Sequence, residues 1–370
     1  MHPLIASILF HAIGAASASV CYVPQRKVKG WSWQTYWLTQ ASFCWLLLPV
    51  IGAFLTVPAF WSVVYQAPRD ALLRTFLLGA AYGIGGTAFG LAIRYVGFSI
   101  TYATAIGVST LVGTAYAIVK GDTGLVNYAA NIRMFLDKTG SGWVLLGIGV
   151  GMVGIAFCGL AGRWKERDLN PAAITPGKSN AAIGLVLCLL AGVLSGVYGM
   201  ALTEGAPIAK LAEQAAVGHT ILGVDATSFR NNAIYPFSNT GAFLTTAIYC
   251  LFLHYRQGTF GQMLALPQGV NPIQLPVNWA MAILTGCLWY GQFFFYGFGH
   301  FFIVKVKGFE QACWAIHMIL SILLGTLVGV GLKEWKGCRR STKLTLAWAV
   351  ALLITGKLLL DYGNYIGQAK

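Results

Sequence analysis

Apolar runs of about 20 residues recur along the whole chain, and this pattern constrains the fold more than any other feature. A helix needs roughly 20 residues to cross the ~30 Å hydrocarbon core of a bilayer. At that depth every backbone N–H and C=O must be paired within the protein, which favours helices. The sequence therefore predicts an all-α integral membrane protein with ten transmembrane helices, at 4–23, 35–57, 71–95, 99–119, 142–161, 181–203, 229–253, 279–304, 311–332 and 343–362.

The composition excludes a soluble domain. Of 370 residues, 57% are hydrophobic and 10% are charged, whereas soluble domains carry about 25% charged residues. The formal net charge of +14 comes from basic residues that concentrate between the apolar runs. This distribution is typical of membrane topology signals and not of a nucleic-acid-binding face. We therefore expect the lipid bilayer as a partner and no nucleic acid.

The motifs of cofactor, metal and nucleotide sites are missing from the sequence. Its eight cysteines are scattered singly, without a CxxC or Cys/His spacing, and indicate neither zinc nor disulfides. Nothing matches GxxxxGK[ST], HExxH or GxSxG. The sequence therefore predicts neither an ATP-driven pump nor an enzyme, and transport driven by an ion gradient is the class that is left.

Basic residues in the loops predict the orientation. Loops on one predicted side carry fourteen Lys and Arg residues, and loops on the other side carry seven. The more basic loops face the cytoplasm in most membrane proteins. This rule places both termini outside the cytoplasm and makes the basic segment 164–180 a cytoplasmic linker.

Similar segments recur at an offset of about 207 to 212 residues. LLGAAYG at 77–83 matches LTGCLWYG at 284–291, and the span at 105–121 resembles the span at 315–334. Repeats of five helices must cross the membrane in opposite directions, and inverted repeats are typical of secondary transporters. We predict two inverted five-helix repeats, at 1–163 and 181–370.

Glycines line one face of the third predicted span at intervals of three or four residues. Because glycine has no side chain, a neighbouring backbone can approach such a face closely. This spacing indicates tight helix packing and is also compatible with a sliding interface in a transporter. The glycines are Gly79, Gly83, Gly86 and Gly90.

Three histidines and one glutamate are candidates for proton coupling. Histidine titrates near pH 6.5, and ionisable groups at membrane depth are often functional. His11, His300 and His317 lie within predicted spans, and Glu310 precedes His317 by two helical turns. Two interpretations stay open, because each histidine can instead be satisfied by hydrogen bonds between helices, and Glu310 can be an interfacial carboxylate.

The eighth span combines aromatic rings with a polar amide, as sugar sites do. Trp289, Gln292, Phe293 and Tyr296 are spaced by three and four residues and can share one helix face. Asn231 lies in a polar segment before Pro236, where a broken helix would expose backbone groups. The alternative is that these aromatic side chains contact lipid.

Four segments of the chain resemble the bacterial L-rhamnose–proton symporters of the drug/metabolite transporter superfamily. They are HAIGAASASVCYVPQRKVKGWSWQTYW (11–37), YGIGG…GLAIRYVGFS (82–99), LWYGQFFFYGFGH (288–300) and HM…GLKEW (317–335). The positions that match the motifs are His11, Lys27, Arg94, Gln292, His300 and His317.

The resemblance implies proton-coupled import of L-rhamnose, or of a related 6-deoxy sugar, across the bacterial inner membrane by alternating access. It adds Arg94 to the candidate sugar-binding residues. It also implies that a proton is the coupling ion and that no cofactor is needed. Two alternatives stay open: an exporter or permease of another small metabolite on the same fold, and a membrane sensor that does not transport. The oligomeric state is not predicted.

Overall fold

The computed structural model describes residues 3–120, 125–169, 180–303 and 312–368. Within these ranges the regular secondary structure is helical, apart from the antiparallel strands β1 (Thr220–Ile221) and β2 (Val224–Asp225). A π-helical turn at Ser42–Leu47 joins the helices Trp33–Ala41 and Leu48–Thr56. The helices are α1 (Pro3–Val20), α2 (Trp33–Ala41), α3 (Leu48–Thr56), α4 (Phe60–Gln66), α5 (Arg69–Val96), α6 (Phe98–Lys120), α7 (Tyr128–Asp137), α8 (Ser141–Leu169), α9 (Asn180–Glu204), α10 (Ala206–Ala216), α11 (Tyr235–Gln257), α12 (Gln274–Ile303), α13 (Ala312–Gly331) and α14 (Arg340–Gln368).

Seven helices in the described residues are long and apolar enough to cross a membrane. They are Ile5–Lys27, Trp33–Thr56, Arg69–Val96, Phe98–Tyr116, Ser141–Leu169, Ala181–Glu204 and Arg340–Gly367. The helices α11 and α12 have spanning length, with 23 and 30 residues, but polar residues such as Asn239 lower the hydropathy of α11. The chain is thus an all-helical, multi-pass membrane protein, and the count of ten spans stays a prediction.

One local prediction is confirmed. The third and fourth predicted spans are α5 and α6, and Gly97, with a φ of +84°, separates them. Glycine adopts this left-handed conformation without steric cost. The short helix α10 begins at Ala206 with Pro207 in its first turn and buries Ile208.

Two boundaries differ from the prediction. The seventh span was expected at 229–253, but α11 begins at Tyr235 and follows a 3-10 segment, Ala226–Ala233. Pro236 lacks an N–H and is tolerated only in the first turn of a helix, which sets this start. In addition, α8 continues to Leu169, so the first residues of the predicted linker 164–180 are helical; its residues 170–179 lie outside the described ranges.

The described chain forms two compact units, and the first comprises Met1–Gly86 and Tyr198–Lys307. In this unit α1 packs along α12, where the hydroxyl of Ser17 donates to the carbonyl of Leu288 at 2.7 Å. The helices α5 and α11 approach so closely that a Cβ at Gly79 would overlap the carbonyl oxygen of Ser238. The glycine spacing of α5 predicts this tight packing.

The second unit comprises Thr87–Val197 and Gly308–Lys370. Here α8 packs against α14, and a Cβ at Gly147 would lie 2.7 Å from the carbonyl oxygen of Gly356. Buried residues such as Ile100 fill the core of this unit. Each unit takes segments from both halves of the sequence, and the predicted repeats at 1–163 and 181–370 stay a prediction.

Candidate functional site

An aromatic cluster in the first unit is centred on Trp289 of α12. Its ring lies 5.5 Å from that of Trp45, at an interplanar angle of 84°, and 5.4 Å from the ring of Phe293, one turn further along α12. Tyr82 of α5 lies 5.9 Å from Trp45. Edge-to-face contacts of this kind are favourable because the positive edge of one ring meets the negative face of the other. Separate membrane helices thus bring their rings to one place.

Three tyrosines extend this group of rings. Tyr198 of α9 lies 4.5 Å from Tyr82, and Tyr235 of α11 lies 4.6 Å from Phe293. Tyr290 of α12 lies 6.0 Å from Phe293. We call the whole set the Trp289 cluster; its members are Trp45, Tyr82, Tyr198, Tyr235, Trp289, Tyr290 and Phe293.

Unpaired polar atoms lie within and beside the Trp289 cluster. The hydroxyl of Tyr198 donates to Oδ1 of Asn239 at 2.7 Å. In contrast, Nδ2 of Asn239, Nε1 of Trp45 and the hydroxyl of Tyr290 are buried and have no hydrogen-bond partner within the described part of the chain. An unsatisfied buried polar group costs about 1–3 kcal/mol, so each one calls for an explanation. These three groups are therefore candidates for hydrogen bonds to a ligand.

Asn239 and every member of the Trp289 cluster are uncharged. Aromatic walls with a few polar groups are typical of small-molecule sites. Flat rings suit the C–H faces of a sugar, and N–H and O–H donors suit its oxygen atoms. A charged ligand would lose its hydration here without gaining an opposite charge. The residue types of the cluster therefore match the chemistry of a small neutral polyhydroxyl compound.

Local backbone geometry positions two of the donors. Trp45 lies in the π-helical turn, whose extra residue per turn changes the direction of the side chains that follow. Its ring packs on Gly86, where a Cβ would lie 2.6 Å from the indole. The hydroxyl of Tyr290 lies against Gly52, and a Cβ there would overlap it. Glycine at 52 and 86 thus allows both rings to occupy their positions.

The close contact between α5 and α11 positions Tyr82 and Asn239. The hydroxyl of Thr245 donates to the carbonyl of Ala80 at 2.9 Å, and that of Thr246 donates to the carbonyl of Gly83 at 3.2 Å. Hydrogen bonds between membrane helices add to the van der Waals packing of small residues. The ring of Tyr82 and the amide of Asn239 are therefore carried by two helices that are fixed against each other.

Of the four candidate residues predicted on α12, the structure brings two into the Trp289 cluster. These are Trp289 and Phe293. Gln292 donates from Nε2 to the carbonyl of Trp289 at 2.7 Å, within its own helix. Tyr296 instead contacts His11, with ring centroids 5.2 Å apart. Whether Gln292 and Tyr296 bind sugar stays a prediction.

Asn231 and Arg94 are not members of the Trp289 cluster. Asn231 is half-buried in the 3-10 segment, and its carbonyl accepts from the N–H of Ile234 at 2.9 Å. Its neighbour Asn232 is buried and donates to the hydroxyl of Thr56 at 2.7 Å, which ties the segment to α3. Arg94 is exposed in the last turn of α5 and belongs to the second unit.

The structure places the proton-coupling candidates on three helices. His11 is fully buried in α1, and a Cβ at Gly299 of α12 would lie 2.7 Å from its Nε2. His300 lies in α12. His317 is buried in α13 of the second unit, and its carbonyl accepts from the hydroxyl of Ser321 at 2.8 Å. Glu310 lies outside the described residues.

In the second unit, Glu334 forms a charged cluster at the turn between α5 and α6. Its Oε1 accepts from the N–H of Phe98 at 2.8 Å, at the start of α6. Lys165 of α8 lies 3.6 Å from Oε2 and donates to the carbonyl of Val96, at the end of α5, at 3.2 Å. Each charge thus meets the helix end of opposite polarity.

Trp335 completes this cluster. Its Nε1 donates to the hydroxyl of Ser99 at 3.0 Å, and Nζ of Lys165 lies 4.8 Å from its ring. A cation over an indole face is stabilised by the ring quadrupole. We call Lys165, Glu334, Trp335 and Ser99 the Glu334 cluster; it holds the α5–α6 turn by hydrogen bonds and charge.

Asp168 and Arg339 form a second ion pair in this unit, with 3.4 Å between Oδ1 of Asp168 and Nε of Arg339. Asp168 accepts from the N–H of Arg339 at 2.9 Å and from the hydroxyl of Thr342 at 2.6 Å. Burial raises the pKa of the neighbouring Cys338 thiol, and the carboxylate of Asp168 adds to this shift. The Cys338 thiol is therefore held in its neutral form, as a packing residue requires.

Several residues of the Trp289 cluster were not predicted from the sequence. Trp45, Tyr82 and Tyr198 lie in three spans that are distant in the sequence, and a pattern within one helix cannot connect them. Tyr290 was not included in the helix face that the spacing of three and four residues predicted on α12. The available signal was the polar Asn239 within an apolar span, since polar residues at membrane depth are often functional.

Comparisons with known proteins agree on one family. The family described as L-rhamnose-proton symport protein (RhaT) matches residues 1–364. The L-rhamnose-proton symporter of Cronobacter sakazakii is 32% identical over 357 residues, which are 96% of each chain. The symporter of an Enterobacter species is 32% identical over 362 residues, or 98% of each chain, and that of Escherichia coli is 31% identical over 356 residues, or 96% of this chain and 97% of the relative. No solved structure matches the chain.

Proposed function

Because this chain belongs to the family of L-rhamnose–proton symporters, we propose that it imports L-rhamnose, or a closely related 6-deoxy sugar, together with a proton. It is a multi-pass membrane transporter and not an enzyme. The observation that carries the sugar part of the proposal is the Trp289 cluster, which joins aromatic rings to unpaired, uncharged donors. Sugar binds there between the rings and exchanges its water hydrogen bonds for those of the site.

Transport follows an alternating-access cycle across the bacterial inner membrane, with both termini in the periplasm. The support for this orientation is the twofold excess of basic residues in the loops assigned to the cytoplasm. Two inverted five-helix repeats would provide the symmetry that such a cycle needs. The proton is the coupling ion, as the names of the related symporters state for those proteins.

His11 is the proposed carrier of the proton. It lies on α1, which packs on the same helix, α12, that carries Trp289 and Phe293. Its ring contacts Tyr296 two turns before the end of α12. A histidine at that place can therefore respond to changes at the sugar site through one helix.

Sugar-induced proton uptake tests the proposed function. The chain is produced in cells that lack their own rhamnose transporter, the cells are de-energised, and L-rhamnose is added to lightly buffered medium. Symport removes protons from the medium with the sugar, so its pH should rise. A protonophore should abolish both this rise and the accumulation of radiolabelled L-rhamnose in energised cells.

Two results would contradict the proposal. An unchanged pH with L-rhamnose and with other 6-deoxy hexoses would exclude proton–sugar symport of this class. Uptake that a protonophore does not reduce would indicate a permease on the same fold. The variant Trp348→Ala is the control for expression, because Trp348 of α14 is exposed.

A further inference from the structure

The amide of Asn239 has a defined orientation. Its Oδ1 accepts from the hydroxyl of Tyr198 at 2.7 Å. In the opposite orientation this hydroxyl would have to accept, and its own proton would have only the longer contact of 3.4 Å to the hydroxyl of Ser238. The hydrogen bond from Tyr198 therefore leaves the Nδ2 group of Asn239 as the free end of the amide.

The backbone beneath this amide is also held in place. Asn239 is fully buried in the second turn of α11. The carbonyl of Ser238 lies against Gly79 of α5 so closely that no side chain fits between them. Tyr235 precedes Asn239 by four residues, so the ring and the amide share one face of α11. The unpaired Nδ2 group is thus presented beside the rings of the Trp289 cluster.

The two other unpaired donors belong to the same cluster. They are Nε1 of Trp45 and the hydroxyl of Tyr290. An N–H donor can only donate, and the indole has no acceptor at all. Two N–H groups and one O–H group therefore suit a ligand with oxygen acceptors, and the hydroxyls of a neutral monosaccharide supply these without adding charge.

We infer that Asn239 is a specificity-determining residue, whose Nδ2 group donates to one particular hydroxyl oxygen of a neutral monosaccharide, and that Tyr198 is its positioning residue. This inference rests on the proposed function, since it names the chemistry of the same sugar site. Sites that hydrogen-bond a substrate hydroxyl reject analogues that lack it, because the buried donor is then left unpaired. Sugar acids and sugar phosphates are rejected because no cation of the cluster compensates their charge.

Competition binding with purified full-length protein tests this inference. The probe is tritiated L-rhamnose, and the competitors are monodeoxy analogues that each lack one hydroxyl. With the unaltered protein, one analogue should compete roughly tenfold more weakly than the others. With Asn239→Leu, which keeps the size and removes the donor, the affinity for L-rhamnose should fall by a similar factor and that one analogue should no longer be discriminated.

The variant Tyr198→Phe is the matched test of positioning. It keeps the ring and removes only the hydrogen bond that orients the amide. Discrimination against the one weak analogue should therefore decrease, but by less than in Asn239→Leu. If Asn239→Leu does not fold, Asn239→Ser and Tyr198→Phe give the same measurement. Wild-type discrimination in these variants would overturn the inference and leave the proposed function intact. If the unaltered protein binds neither L-rhamnose nor another neutral hexose, the proposed function itself fails.

Discussion

The Trp289 cluster and the Glu334 cluster both place polar groups among membrane helices, but they differ in how these groups are satisfied. In the Glu334 cluster, the carboxylate accepts from a backbone N–H and pairs with Lys165, which also donates to a carbonyl. In the Trp289 cluster, buried donors of Trp45 and Asn239 lack partners within the described residues. The polar groups of the Glu334 cluster are thus charged and paired, whereas these donors beside the rings are neutral and unpaired within the described residues.

This difference separates a structural role from a binding role. Paired charges at helix ends hold a turn, and any ligand would have to break existing bonds to enter. Unpaired neutral donors cost stability in the free protein and recover it only when something binds. The comparison therefore supports a role in stability for the Glu334 cluster and the proposed sugar recognition for the Trp289 cluster. Glu334→Gln and Trp289→Ala each test one side of it, and His11→Gln and Arg94→Gln test residues outside both clusters.

The largest effect is expected for Glu334→Gln. Removing one partner of a buried ion pair leaves the other charge unpaired and costs about 3 kcal/mol or more; the side chains of Glu334 and Lys165 are only 15% and 13% exposed. The melting temperature of the purified protein should fall clearly, while KM for L-rhamnose in cells should stay unchanged. A changed KM with an unchanged melting temperature would reverse the assignment.

A smaller but still large effect is expected for Trp289→Ala. Loss of a central aromatic anchor typically costs about 2 kcal/mol of binding, or roughly 30-fold in affinity. Uptake of L-rhamnose at low concentration should fall accordingly, with the protein still inserted in the membrane. Trp348→Ala removes an exposed indole from α14 and should transport normally. Equal losses in both variants would show that the effect does not come from the cluster.

The variant His11→Gln separates coupling from binding. Gln fills much of the space of the buried imidazole against Gly299 and does not titrate. We expect accumulation against a gradient to fall by about tenfold, while exchange of internal for external sugar, which needs no net proton movement, continues. His317→Gln is the counterpart in the second unit. If that variant loses accumulation and His11→Gln does not, the proton is handled in the second unit.

The smallest effect is expected for Arg94→Gln. Arg94 is exposed at the end of α5, and exposed substitutions usually change stability by no more than about 0.5 kcal/mol. Uptake should stay within about twofold of the unaltered protein. A larger loss of uptake, caused by a raised KM at normal expression, would show that the resemblance was right to include Arg94 among the sugar-binding residues.

The sequence predicted features that depend on one segment at a time. The length of the apolar runs predicted the membrane helices, and the spacing of glycines predicted close packing of α5 at Gly79. The helical spacing of the aromatic residues placed Trp289 and Phe293 on one face. Each rests on the regular geometry of a single helix. The same reasoning included Gln292, but its amide bonds to its own helix, and spacing alone does not reveal such a local choice.

Features that depend on distant segments were not predicted. Trp45 reaches Trp289 because a π-helical turn redirects it and because Gly86 makes room. No role was predicted for Glu334, which binds the start of α6 across more than 200 residues of sequence. The start of α11 was placed too early because the effect of Pro236 on the first turn was not applied to the boundary.

Equilibrium binding of tritiated L-rhamnose to purified protein tests the central claim most directly. The unaltered protein, Trp289→Ala and Glu334→Gln are compared at a temperature where all three are folded. If the Trp289 cluster is the sugar site, the unaltered protein and Glu334→Gln bind with the same Kd, and Trp289→Ala binds roughly 30-fold more weakly. Binding of L-rhamnose by Trp289→Ala with the unaltered Kd would contradict the account.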